Sequence, residues 1–152
     1  MSRILVVEDN PPSRELLQDW LAVQGHEVQS AGTLGEALEA VERIQPDAVL
    51  LDIQLGAQDG LSLPKWMRTQ PSLRHVPVIA VTAHAMMTEQ DRILQAGCSA
   101  SVSKPIEFQL LQEQLDKWLT VGALLKRSSE LDEEMDAQNV FAMLPMGGGY
   151  DE

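Results

Sequence analysis

Asp47-Ala48-Val49-Leu50-Leu51-Asp52 decides the fold: four consecutive apolar residues that end on a carboxylate. Three other runs share this form. Arg3-Ile4-Leu5-Val6-Val7 leads into the acidic pair Glu8-Asp9, Val76-Pro77-Val78-Ile79-Ala80-Val81-Thr82 ends in a hydroxyl, and Ala100-Ser101-Val102-Ser103-Lys104-Pro105 ends in a lysine. Short, continuously apolar runs are the mark of parallel strands buried on both faces. If such strands are neighbours, Glu8, Asp9, Asp52, Thr82 and Lys104 converge on one rim. Three acids at one rim repel unless a cation sits among them.

Between these runs the apolar spacing changes to a helical period, as βαβ units require. The first strand, about residues 3–8, is followed by Asn10-Pro11-Pro12-Ser13 and a helix with Leu16, Leu17, Trp20 and Leu21 on one face and Gly25 as its stop. A short second strand covers about 27–31. Thr33 can cap a helix carrying Leu34, Ala37, Leu38, Val41 and Ile44, which Pro46 closes. After Asp52 a loop runs from Ile53 to Asp59, and Gly60, taken here to adopt positive φ, opens a third helix with Leu61, Leu63 and Trp66. A fourth helix is expected from about Met87 to Ala96 with Gly97 as C-cap, and a fifth from about Glu107 to Leu119 with Phe108, Leu110, Leu111, Leu115, Trp118 and Leu119. Right-handed crossovers then make a doubly wound α/β fold around a five-stranded parallel sheet. In such sheets ligands bind beyond the carboxyl ends of the strands, where the strand order reverses. That is the rim where the acids, Thr82 and Lys104 stand.

The composition narrows the function. The 152 residues, 44% hydrophobic, are enough for one core and not for two large domains. The net charge of −12, without a basic cluster, argues against nucleic acid as a partner. Residues 121–152 hold seven acids against Lys126 and Arg127, so −5 of that charge lies in the tail and −7 in the body. Cys98 is the single cysteine; it excludes an internal disulfide and, next to Gly97, reads as a small core side chain rather than a reactive thiol. No apolar run reaches the ~20 residues that span a bilayer, and a strand stands where a charged leader would be. No membrane association and a cytoplasmic location are expected.

Each site residue alone is ordinary: a solvated Glu-Asp pair, a strand threonine, a Lys-Pro turn. Their joint occurrence at four strand ends is not. Val6-Val7-Glu8-Asp9-Asn10, Leu50-Leu51-Asp52, Asp59-Gly60, Val81-Thr82-Ala83 and Ser103-Lys104-Pro105, in this order, resemble the receiver domain of two-component response regulators over about residues 2–120. The resemblance implies the flavodoxin-like, CheY-like receiver fold, with residues 1–120 as the receiver and 121–152 as an acidic extension.

Function follows as an implication of that resemblance. Asp52 would accept a phosphoryl group from a sensor histidine kinase or a histidine phosphotransfer protein, and the chain would signal through contact with a downstream protein target rather than as an enzyme. Phosphoryl transfer loads charge onto three equatorial oxygens, which calls for a metal and a fixed cation. Glu8, Asp9, Asp52 and the backbone carbonyl of Gln54 would hold Mg²⁺, whose preference is for hard oxygen ligands. Thr82 and Lys104 would contact the phosphoryl oxygens. The peptide bond before Pro105 would be cis, and a homodimer through the fourth helix, fifth strand and fifth helix is an associated possibility.

The chain also departs from the pattern. Ser101 stands where receivers usually carry a switch aromatic, which puts the readout through the fourth and fifth helices in question. Gly56 replaces a common proline and Ala57-Gln58 a more apolar step, so a more mobile loop is expected beside Asp52. His84 and Gln54, two residues after Thr82 and Asp52, occupy positions that tune hydrolysis in the family; an exposed surface role is the simpler expectation for His84. His26 and His75 read as loop residues, Trp20, Trp66 and Trp118 as core, and Met86-Met87 as a helix start that packs or meets a partner. Beyond Leu119 no output domain is expected. The tail reads as disordered or a short amphipathic helix with Leu131, Met135, Val140, Phe141 and Leu144, frayed at Met146-Gly147-Gly148-Gly149-Tyr150; the alternative is docking through Phe141. Two other functions stay open: a phosphate-independent pseudo-receiver, although the acidic cluster is intact, and a metal-dependent aspartyl phosphohydrolase. Gln54 occupies the place where that hydrolase has its second aspartate.

Overall fold

Residues of each apolar run alternate between two faces, and each face buries a separate core. The computed structural model describes residues 2–84 and 86–142, and of residues 131–142 the backbone alone. Its elements are β1 (Arg3–Val7), α1 (Pro11–Val23), β2 (Glu27–Ala31), α2 (Leu34–Ile44), β3 (Ala48–Asp52), β4 (Gln54–Leu55), β5 (Gln58–Asp59), α3 (Ser62–Met67), β6 (Val78–Thr82), α4 (Met87–Gln95), β7 (Ala100–Ser103) and α5 (Phe108–Ala142). Five of the strands form one parallel sheet in the order β2-β1-β3-β6-β7. This is the expected doubly wound sheet, and its order reverses between β1 and β3.

On one face Leu5, Val7, Val49, Leu51, Val78 and Ala80 pack under α2, α3 and α4. On the other, Ile4, Val6, Leu50, Ile79 and Val102 meet Leu17 and Leu21 of α1 and Leu111 and Leu115 of α5. Burial of each such side chain contributes about 1.5–3 kcal/mol, so the two cores hold the strand ends in register. The tryptophans, read as core residues, are half-buried and pack against the edges of these cores: Trp66 beside the first, Trp20 and Trp118 beside the second. Trp20 meets the Phe108 ring at 5.0 Å. Leu16 departs from expectation at 57% exposed, because it sits about 100° around the helix from Leu17. Leu110, next to Leu111, is 42% exposed for the same reason.

Local signals behave as their chemistry dictates. Asn10 Oδ1 accepts the Ser13 N–H at 3.0 Å and prolines fill the first helical positions of α1. Thr33 Oγ1 accepts the Glu36 N–H at 3.1 Å, and Glu36 Oε1 accepts the Gly32 N–H at 2.8 Å. Gly25 and Gly97 take the positive φ expected of C-terminal stops.

Three features differ from the sequence reading. Gly60 does not have positive φ; a Cβ there would stand 2.9 Å from the carbonyl oxygens of both Asp52 and Ile53, so close approach is what requires glycine. The loop after Asp52 is a small antiparallel hairpin of β4 and β5, with the positive φ at Gly56. The fifth helix does not stop near Leu119 but runs to Ala142. Residues 120–142 contain no proline and a single glycine, Gly122, among many good helix formers, so nothing local ends it. Leu144 and the glycine run of the tail lie outside the described residues, as does any contact of Phe141.

Candidate functional site

Strand register places the site. Val7 pairs with Leu51, Asp52 with Val81, and Thr82 with Ser103, so the residues that leave β1, β3, β6 and β7 emerge at one level. Glu8 stays in line because its N–H bonds to the Ala31 carbonyl of β2 at 3.0 Å, and Lys104 because its N–H bonds to the Thr82 carbonyl at 2.8 Å.

Lys104 Nζ donates to Asp52 Oδ2 at 2.9 Å and lies 3.8 Å from Glu8 Oε1. The other Asp52 oxygen accepts the Gln54 N–H at 3.0 Å. Glu8 Oε2 accepts the Asn10 N–H at 3.2 Å. Asp9, exposed at the mouth, accepts the Gly56 N–H at 3.0 Å, which ties the hairpin to the loop after β1. Glu8, Asp9 and Asp52 each offer a carboxylate oxygen, all within 4.8 Å of one another. The peptide bond before Pro105 is cis.

The electrostatics follow from this crowding. Burial, and then the neighbouring Asp52 carboxylate, push the Glu8 carboxyl up to about 7. Burial works against the charge on Lys104, but Asp52, Glu8 and Asp9 outweigh it and raise the ammonium above its ordinary value. Fully ionised, three carboxylates and one ammonium leave a charge of −2. Hard oxygen donors with that excess fit a divalent cation such as Mg²⁺.

Thr82 is 1% exposed, and among the described residues its hydroxyl bonds only to the His84 backbone, donating to the carbonyl at 3.1 Å and accepting the N–H at 3.0 Å. The structure thus joins Glu8, Asp9, Asp52 and Lys104 directly, and holds Thr82 beside them on another partner. The His84 side chain is exposed, as is Gln54.

A model of the response regulator receiver domain matches residues 4–116. The chain belongs to the response regulator receiver family. The polar-differentiation response regulator DivK of Brucella ovis is 40% identical to this receiver over 116 residues, 76% of this chain and 94% of that protein. A response regulator of Chloroflexus aurantiacus superimposes with a TM-score of 0.74 at 29% identity, over 78% of this chain and 98% of the other. The receiver domain of a Pseudomonas aeruginosa sensor histidine kinase, 34% identical, gives 0.72 over 78% and 98%, and its structure has a magnesium ion coordinated in the active site cleft. The function is therefore that of a receiver in two-component signalling. No helix among the described residues is long and apolar enough to cross a membrane.

Several residues that shape this receiver site were not singled out from sequence. Arg14 Nη1 donates to the Glu8 carbonyl at 2.9 Å and braces the loop after β1. Gln90 of α4 accepts a hydrogen bond from Ser101, so a polar link stands where receivers usually carry an aromatic. At the opposite end of the strands, before β6 and β7, Arg68 donates to the carbonyls of Gly97 and Val76 at 2.7 Å each and so braces the sheet rather than the site. The separations run from 6 to 29 residues and follow neither a helical nor a strand period, so the spacing of these residues does not announce their partners.

Proposed function

We propose that Asp52 is the phosphoacceptor of this receiver and that Glu8, Asp9, Asp52 and the Gln54 backbone carbonyl hold Mg²⁺. The observation that carries this reading is Lys104 Nζ at 2.9 Å from Asp52 Oδ2, with two further acids within 4.8 Å. When bound, the metal supplies positive charge against the phosphoryl oxygens and draws Glu8 into its ionised form.

The protein's own groups do the rest. The Gln54 N–H and Lys104 hold the two Asp52 oxygens in a fixed plane, which lowers the entropic cost of attack. A carboxylate oxygen forms the new P–O bond as the P–N bond of the donor phosphohistidine breaks, and the nitrogen keeps the electron pair. Lys104 then moves its hydrogen bond to a phosphoryl oxygen. The Thr82 hydroxyl exchanges its His84 carbonyl for another, a movement the short Thr82–His84 loop passes to the start of α4. Phosphorylation and dephosphorylation are self-catalysed at this site. The donor is a sensor histidine kinase or histidine phosphotransfer protein and the output is contact with a downstream protein, both in the cytoplasm. Residues 1–120 form the receiver unit, and 121–152 an acidic extension.

The test is intact-protein mass spectrometry after incubation with a small acyl-phosphate donor, with Mg²⁺ or EDTA, beside Asp52→Asn. One phosphoryl group that requires both Mg²⁺ and Asp52 is expected. An adduct on Asp52→Asn, or no adduct and no beryllofluoride complex on the wild type, would overturn the assignment.

A further inference from the structure

Glu8 and Asp9 reach the site under different constraints. Glu8 is 3% exposed and packing fixes its side chain, whereas Asp9 is exposed at the mouth. An exposed carboxylate is aimed by the backbone it leaves, so the peptide between Glu8 and Asp9 governs where the Asp9 oxygens stand. That peptide is pinned through Glu8. The Glu8 N–H bonds to the Ala31 carbonyl at 3.0 Å, and the Glu8 carbonyl, part of the peptide that joins the two acids, accepts Arg14 Nη1 at 2.9 Å.

Arg14 is itself held in place. It stands half-buried in the first turns of α1, with its backbone N–H bonded to the Asn10 carbonyl at 2.9 Å. A Cβ on Gly32, in the turn after β2, would stand 2.9 Å from Arg14 Nη1 and 3.7 Å from Cζ. Gly32 does not have positive φ, so its backbone makes no demand for glycine; the guanidinium is what uses the space. Gly32 is fixed in turn, because its N–H bonds to Glu36 Oε1 of α2 at 2.8 Å. The guanidinium therefore lies in a slot between the turns that follow β1 and β2.

Charge and geometry predict opposite effects of this arginine on a bound metal. A guanidinium near the site repels a divalent cation, so by charge alone its removal would tighten the metal. By geometry its removal frees the Glu8–Asp9 peptide to turn, and Mg²⁺ tolerates little departure from its preferred arrangement of oxygens. Solvent and salt screen the charge of a half-buried side chain. Loss of an orienting partner behind the ligands costs about 10–100-fold in metal affinity, so geometry outweighs charge.

With Glu8, Asp9 and Asp52 read as Mg²⁺ ligands, on which this rests, we propose that Arg14 is a positioning residue for the metal. It acts through the Glu8 carbonyl on the turn that carries two of the three acids, and Gly32 is glycine to give it room.

The test is a titration of the full ¹⁵N-labelled chain with MgCl₂, followed by NMR at the Gln54 and Gly56 amides, which reads metal affinity without any phosphorylation. Arg14→Met should raise the dissociation constant about tenfold or more. Gly32→Ala keeps the arginine and its charge. Because Nη1 is the end of a flexible side chain, the added methyl displaces the guanidinium rather than the backbone, and Mg²⁺ should weaken in the same direction by a smaller factor. On the Arg14→Met background, Gly32→Ala should change nothing further. Urea unfolding of each variant in EDTA reads any loss of stability separately from affinity. A wild type that binds no Mg²⁺ would overturn the metal reading and this role together. If the wild type binds, equal or tighter binding by Arg14→Met would overturn the role of Arg14 alone. So would a Gly32→Ala effect that is absent, or that persists without the arginine.

Discussion

Glu8 makes the metal-free receiver sensitive to pH in a direction opposite to most carboxylates. It is 3% exposed, and its carboxyl is pushed up to about 7 from the ordinary 4.5. Between those values the folded chain holds a proton that the unfolded chain has released. Its contribution is therefore fully present below 4.5 and lost as the pH rises through 7. The difference of 2.5 between those two values, at 1.36 kcal/mol per pH unit, sets the change at about 3 kcal/mol. The perturbation is Glu8→Gln, which keeps the shape and removes the titration. Urea unfolding in EDTA from about pH 4 to 8 should show the variant gaining about 3 kcal/mol relative to wild type across the range. Mg²⁺ at the alkaline end should recover the wild type much more than the variant. A wild-type-minus-variant difference that stays constant with pH would refute the reasoning, since it would mean that Glu8 ionises as easily in the folded site as in water.

Three further outcomes follow from the same contacts. Gly60→Ala should cost about 1–3 kcal/mol in urea unfolding, because its Cβ meets two backbone carbonyls that cannot move without shifting Asp52. Arg68→Met should cost about 3 kcal/mol, since the Gly97 and Val76 carbonyls lose their donor in a half-buried setting; a thermal melt with no shift would contradict this. Cys98, 6% exposed and pushed up by burial to about 12, should resist a disulfide reagent at neutral pH until denaturant is added, and immediate labelling of the folded chain would count against the core assignment.

Much of this receiver is legible in the amino-acid sequence alone. The strands are, because continuous apolar runs such as Ala48–Leu51 have few other uses and their alternation matches the two cores. The acids and Lys104 are, because each closes such a run. The role of Gly60 is not: a turn glycine suggests positive φ, while the real constraint is the nearness of the Asp52 and Ile53 carbonyls, which only packing reveals. The hairpin after Asp52 is not legible in the sequence because two-residue strands leave no periodicity. The reach of α5 is hidden by its acidic composition, which suggests an unfolded tail, while the absence of any helix breaker over 120–142 lets the helix continue.

What the sequence determined by itself is thus the local and periodic part: where the five sheet strands and the helices between them lie, which faces are apolar, and which polar residues stand at strand ends. Those follow from short-range sterics and from the period of hydrophobic burial. Only the tertiary structure decided that Lys104 reaches Asp52 rather than solvent, that Thr82 spends its hydroxyl on His84, and that Ser101 finds Gln90. The first and last depend on strand order and on distances between residues 52 and 11 positions apart, and the second on how the loop after β6 is held. Chain entropy leaves such pairings open until the cores close around the sheet.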